Sequence, residues 1–213
     1  MLLRPLIILL FLLQSFVADS QLLPGEDLGL RSYNIDSLKS LYGKNKTFIR
    51  EYELPSLLAL SYYPELKETI MTFKLKDEES TGKTTIAFTS FFKNNKKYII
   101  YINRNKKNTG ILLNEAPLNA EIGVIGHELS HVVDFAGKDI FSLTGWGFRY
   151  LNKSKRKDIE RQTDMATIKH GLGRQLYDWN VFIVNNKKLS EAYRSLRLRY
   201  YMHKEEILEL IRR

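Results

Sequence analysis

The segment His127-Glu128-Leu129-Ser130-His131 constrains this chain more than any other, because the HExxH spacing puts two imidazoles one turn apart on a single face of an α-helix. Two rings one turn apart are how a helix offers nitrogen to a zinc ion, and the intervening glutamate then lies next to a ligand without being one. The flanks agree. Asn119 reads as an N-cap, Glu121 suits the positive end of the dipole and Gly137 reads as a stop, so the pattern predicts a helix over Ala120 to Ala136. Ile122, Ile125, Leu129, Val132 and Val133 mark its buried stripe, while His127, Glu128 and His131 fall on another face with Val124. Gly123 and Gly126 leave room for neighbouring backbone.

Ahead of that helix the pattern changes twice. Gln21 to Tyr42 is rich in Gly, Pro and Ser and reads as a loosely held arm that could reach over the cleft, and Leu57 to Leu66 reads as helix despite Pro64. From Ile70, Thr72, Phe73 and Leu75 onwards β-formers dominate, with further runs at Thr84 to Phe92 and Lys97 to Asn103. Tyr98-Ile99-Ile100-Tyr101-Ile102 is apolar at odd and even positions alike, as an interior strand is. Ile111-Leu112-Leu113 reads as a short strand immediately before the motif helix. Beyond it, Trp146 and Phe148 read as core anchors, as do Tyr62, Tyr63, Tyr98 and Tyr101. A further helix is expected from about Lys155 to His170 with Gly171 as its stop and His170 set against the dipole, and Ser190 caps a last helix towards Arg213. The expected class is α+β: a small, mostly antiparallel sheet packed on the motif helix and on a second ligand-bearing helix, with helical N- and C-terminal segments.

The first twenty residues carry Arg4, an apolar run from Pro5 to Val17, and Ala18-Asp19-Ser20, the layout of a signal peptide with Gln21 as the mature start. The run is shorter than the roughly 18 to 20 residues that span a bilayer, which argues against an uncleaved anchor and for a secreted or periplasmic protein without stable membrane insertion. Residues 21–213 suffice for one domain with a sizeable core. With no cysteine, an exported chain must rely on packing and on metal rather than on disulfides. The net charge is +9, and its cations gather at Lys93 to Lys97, Arg104 to Lys107 and Lys153 to Lys157 beside Asn and Ser without interleaved aromatics. That pattern belongs to solvated tips rather than a nucleic-acid groove, and leaves attraction to an anionic envelope or an acidic substrate open.

A hydrolytic zinc site takes three protein ligands and keeps a fourth position for water, so two histidines need a partner. A third histidine in the pattern HExxHxxGxxH is excluded by Asp134 and Gly137. Glu160 and Asp164, one turn apart on the second helix, offer a carboxylate ligand and a hydrogen-bond partner for the outer nitrogen of a ligating ring. Asp134 and Asp139 compete, but lie at or beyond the far end of the motif helix.

With HExxH on one helix and Glu160-Arg161-Gln162-Thr163-Asp164 on the next, the stretch from Thr69 to Gly173 resembles the gluzincin zinc metallopeptidases, and its strand order resembles their small single-domain members, the minigluzincins. The resemblance implies His127, His131 and Glu160 as zinc ligands, Glu128 as catalytic base, Asp164 as the partner behind a ligand, and peptides or proteins as substrates. It also implies an edge strand that binds extended peptide, here Ile111, Leu112, Leu113 and Asn114. Related enzymes keep a downstream His or Tyr for the developing oxyanion. Among His170, Tyr177, Tyr200, Tyr201 and His203, His203 is the first choice.

Two other classes of function compete. A zinc-stabilised, catalytically inactive peptide-binding module would use the metal for the fold alone, yet Glu128 has no purpose there and a structural site fills its fourth position with protein. An envelope-surface protein acting through its positive charge would bind in a salt-sensitive manner without metal.

Overall fold

A computed structural model describes residues 25–87, 90 and 96–213. The leader pattern, the first residues of the arm, the cation Lys93 and the end of the run Thr84 to Phe92 lie outside these residues. The class is α+β, a four-stranded mixed sheet set among helices.

The sheet comprises β1 (Lys46–Thr47), β2 (Ile70–Lys76), β3 (Gly82–Ile86) and β4 (Lys97–Asn103) in the order β1-β2-β4-β3. It is not mostly antiparallel. β1 and β4 both run parallel to β2, and only β3 is antiparallel, pairing Gly82 with Ile102 and Ile86 with Tyr98 of β4. The cause lies in β4, whose Tyr98, Ile100 and Ile102 are buried on one face while Ile99 and Tyr101 are half-buried on the other. Such a strand belongs inside a sheet, so it inserts between β2 and β3 and leaves β3 at the edge.

The helices are α1 (Ile35–Tyr42), α2 (Glu53–Leu60), the single turn α3 (Lys106–Thr109), α4 (Leu118–Ala136), α5 (Ile140–Leu151), α6 (Lys153–Thr167), α7 (Gly173–Asn185), α8 (Glu191–Tyr200) and α9 (Lys204–Arg212). The motif helix α4 is the axle of the molecule: Ile122, Ile125, Leu129 and Val132 are buried as expected, and it packs along α7, α2 and α6 with β3 across its site face. Gly123 explains the close pass of α7, because a β-carbon there would strike the Gln175 backbone. Gly126 does the same for Leu172, and its carbonyl accepts from the Tyr63 hydroxyl at 2.7 Å.

Several expected boundaries move. Asn119 is not the N-cap, which falls on Pro117. Its amide instead donates to Asp27 and Asp178, each at 2.8 Å, and accepts from the Gly29 amide at 3.0 Å. The arm is therefore held from Gly25 on, with Leu28 buried, Asp27 paired to Arg174 at 2.6 Å and Gln175 donating to the Glu26 carbonyl. It docks at the start of α4 and α7, and none of its described residues lines the cleft. Ile111 to Leu113 is no strand. Gly110 turns the chain with φ +81°, Leu113–Glu115 makes a 3-10 turn closed by Leu112 N–H donating to Glu115 Oε1 at 2.6 Å, and Ile111 and Leu113 are sunk fully into the core. The stretch around Trp146 forms α5, with Asp139 accepting from Ser142 N–H at 2.7 Å as its cap. Asn152 ends α5 and caps α6. Past α6, a π-turn over Ile168–Leu172 bends at Gly171 (φ +90°) and leads into α7. The last expected helix breaks at Tyr201–His203, giving α8 capped by Ser190 and a separate α9.

Of the expected aromatic anchors, Tyr63 and Tyr98 are buried, Tyr62, Tyr101 and Trp146 are half-buried, and Phe148 is 71% exposed. Phe148 departs because α5 stands at the rim of the molecule, where only one of its faces meets protein.

Candidate metal centre

α4 supplies two imidazoles and α6 a carboxylate, and the helices cross so that the three meet below the surface, each 6% exposed or less. Glu160 Oε2 stands 3.1 Å from His127 Nε2 and 3.5 Å from His131 Nε2. A tetrahedral ion with bonds of about 2.0–2.1 Å would hold its donors about 3.3 Å apart, and the observed spacings bracket that value. His127, His131 and Glu160 therefore form a buried group that can hold a metal ion. Asp134 and Asp139 do not compete: the first pairs with Lys138 and the second caps α5.

Each ring is fixed from behind. His127 Nδ1–H donates to Asp164 Oδ1 at 2.9 Å, and Asp164 Oδ2 accepts from the Met202 amide at 2.8 Å. His131 Nδ1 lies 3.4 Å from Thr163 Oγ1, one residue before Asp164. Such partners set the tautomer and leave both Nε2 atoms facing the common point. Burial disfavours charge on His127, but Asp164 and Glu160 outweigh it and push its pKa up to about 10. Burial likewise opposes ionisation of Glu160, yet its bonds to His127 and His131 hold its carboxyl well below the usual range. A cation that replaces the proton between these groups meets a site already arranged for positive charge.

Glu128, which precedes His131 by three residues and shares the cleft with both histidines, does not join the ligand cluster. Its Oε2 accepts from Thr84 Oγ1 of β3 at 2.8 Å, and Thr84 also reaches the Glu128 carbonyl at 2.9 Å. Gly82 of β3 passes so close that a β-carbon there would sit 2.9 Å from Glu128 Oε1. The edge strand is thus pressed against the motif helix beside this glutamate.

These groups open into a cleft of about 750 Å³. One wall is β3, the other α5 and the start of α6. Trp146 meets the His131 ring edge-on at 6.2 Å and Phe135 at 4.8 Å, forming an apolar corner with Leu143. The Tyr150 hydroxyl donates to Glu160 Oε1 at 2.5 Å, and the Arg156 guanidinium stacks on the Tyr150 and Tyr200 rings. Tyr201 lies with its ring 5.5 Å from that of His127. Burial and the Glu160 charge raise the pKa of both Tyr150 and Tyr201, so both phenols stay protonated at neutral pH.

Two expected participants are elsewhere. His203 is exposed, its Nε2–H donates to the Leu198 carbonyl at 3.1 Å, and the break between α8 and α9 turns Tyr201 inward in its place. Ile111, Leu112 and Leu113 do not border the cleft, and Asn114 bonds Glu51; the strand that does is β3. His170 fulfils its expected part, donating to the Ala166 carbonyl at 2.8 Å at the end of α6 while stacking on Tyr63. Thr84, Tyr150 and Arg156 carry no motif. The spacing of Thr163 from Glu160 and Asp164, which puts all three on neighbouring turns of one helix, is the only signal that marked any of the additional residues.

Comparison of the chain with family models, with curated proteins and with solved structures finds no match.

Proposed function

We propose that this chain is a zinc-dependent metallopeptidase of the gluzincin type, and that it hydrolyses peptide bonds in exported or extracellular substrates. The observation that carries the reading is the convergence of His127, His131 and Glu160 beside a glutamate that is not a ligand. Two imidazoles and one carboxylate suit zinc better than the oxygen-seeking divalent ions, and three protein donors rather than four are the hydrolytic pattern. Zinc held there by His127, His131 and Glu160 would supply Lewis-acid chemistry for the scissile carbonyl and for the attacking water.

The remaining work belongs to the chain. Glu128, aligned by Thr84, takes the proton of the attacking water and hands it to the leaving amine. The outer edge of β3 holds the substrate in extended form through backbone hydrogen bonds, which gives affinity with little side-chain selectivity. The neutral hydroxyl of Tyr201, on the cleft wall beside His127, is the donor for the developing oxyanion and replaces His203 in that part, while the Tyr150 hydroxyl spends its proton on holding Glu160. Export rests on the leader pattern of residues 1–20, and no helix among the described residues is long and apolar enough to cross a membrane.

Metal analysis joined to peptide hydrolysis tests the reading. Glu128→Gln is expected to keep one zinc per chain and to lose turnover by about 10²-fold or more, as the loss of a general base does. Zinc in both proteins with turnover in neither would instead favour a metal-stabilised binding module. A chain that takes up no metal would sink both.

A further inference from the structure

We infer that the outer face of α5, with the start of α6, is a docking surface for an anionic lipid bilayer. α5 carries two different faces. Leu143, Trp146 and Tyr150 turn inward onto the cleft, whereas Phe141, Phe148 and Leu151 fall on the opposite side of the helix and are 84%, 71% and 81% exposed. Single exposed apolar residues are ordinary, but two phenylalanines and a leucine on one helical face form a patch that water does not favour. Gly145 and Gly147 sit between them with open space where a β-carbon would be. They contribute nothing to packing and lower the intrinsic stability of the helix, so its sequence is not tuned for folding alone.

The charge around this face identifies the occupant. Arg149 lies on α5, and Lys153, Lys155 and Lys157 project from the first turns of α6, all four exposed. None of them enters an ion pair among the described residues, and the first turn of α6 contains no acid. Cations at a helix N-terminus face the positive end of the dipole, so this arrangement works against α6 unless an anionic surface offsets it. At the other end of α5, Lys96 donates to the Lys138 carbonyl, one residue before the Asp139 cap, which places a further cation near the rim. The acids of α5 and α6 are Asp139, engaged as the cap, Asp158, and Glu160 and Asp164, both buried at the metal centre, while the nearby Asp134 at the end of α4 pairs with Lys138. Aromatic and aliphatic side chains bordered by lysine and arginine are the make-up of a helix that lies in a membrane interface. A second copy of the chain would bring the same cations against each other, and a neutral protein partner would gain nothing from them. The inference stands whether or not the chain hydrolyses peptides.

Because the chain has no cysteine, an environment-sensitive fluorophore on Leu151→Cys reports this face alone, and one on Lys187→Cys serves as the distant control. With vesicles containing phosphatidylglycerol, a blue shift is expected at 151 and none at 187. Adding Lys153→Glu, Lys155→Glu and Lys157→Glu is expected to weaken partitioning by more than about fivefold per cation removed. Phe141→Ser with Phe148→Ser is expected to abolish the shift while circular dichroism stays unchanged. Four results would overturn the proposal: no shift at 151, an equal shift with neutral phosphatidylcholine at high salt, a label already shielded before vesicles are added, or a concentration-dependent dimer that the serine variants dissolve.

Discussion

At the residue scale, the centre depends as much on what stands behind the ligands as on the ligands. Asp164 receives His127 on one oxygen and the Met202 amide on the other, so it fixes a ring and the break between α8 and α9 together. Asp164→Asn should weaken metal affinity by about 10–100-fold, read by competition with a chromogenic chelator, whereas Glu128→Gln should leave affinity intact. Gly82→Ala is expected to keep the metal yet lower turnover by about 10²-fold, because the new methyl must displace the Glu128 carboxylate. Glu121 behaves unlike the dipole partner its position suggests: burial, then the nearby Glu51, push its pKa up to about 7. A carboxyl whose folded pKa exceeds its unfolded one favours folding below the unfolded value and loses that contribution as pH rises through the folded one. Stability should therefore decline between about pH 4.5 and 7, and Glu121→Gln should flatten the decline. Its gain at pH 8 should be about 1 kcal/mol, since partial solvent access screens the shift.

At the element scale, what was legible followed from periodicity and what was not followed from partners. α4 and β4 were readable because a buried stripe and a two-faced apolar run leave a chain few choices. Ile111-Leu112-Leu113 has the same local look as a strand, but it is short, follows a left-handed glycine and has its amide taken by Glu115, so the core claims it. The mixed sheet was hidden for a related reason: hairpin-length links suggest meanders, and the order of strands depends on which is most apolar overall. Of the candidate site, His127, His131, Glu160, Glu128 and Asp164 were legible from spacing along helices and Tyr201 was one of five downstream candidates, while Thr84 and Tyr150 arrive from elements whose approach no local pattern records. α5 was obscured by its glycines. Gly145→Ala and Gly147→Ala should each stabilise that helix by about 1 kcal/mol or less, visible as a raised melting temperature, because each methyl meets open space. Lys46 shows the opposite situation, an ammonium that donates to the carbonyls of Lys44, Leu66, Lys67 and Thr69. Lys46→Met should cost about 2 kcal/mol in denaturant unfolding by leaving that cage without a donor.

At the scale of the whole molecule, one ion would join α4 to α6, so ligand binding and folding are linked. Zinc at a thousand times its dissociation constant should stabilise the chain by about 4 kcal/mol, seen as a higher melting temperature that a chelator reverses and that His131→Ala abolishes. The bond from Met202 to Asp164 carries a consequence for biogenesis. Synthesis runs from the N-terminus, so a nascent chain owns every metal donor about forty residues before it owns the amide that steadies the first of them. A fragment that stops at Tyr200 should therefore capture the ion only loosely, read by chelator competition, and full grip should await the emergence of Met202.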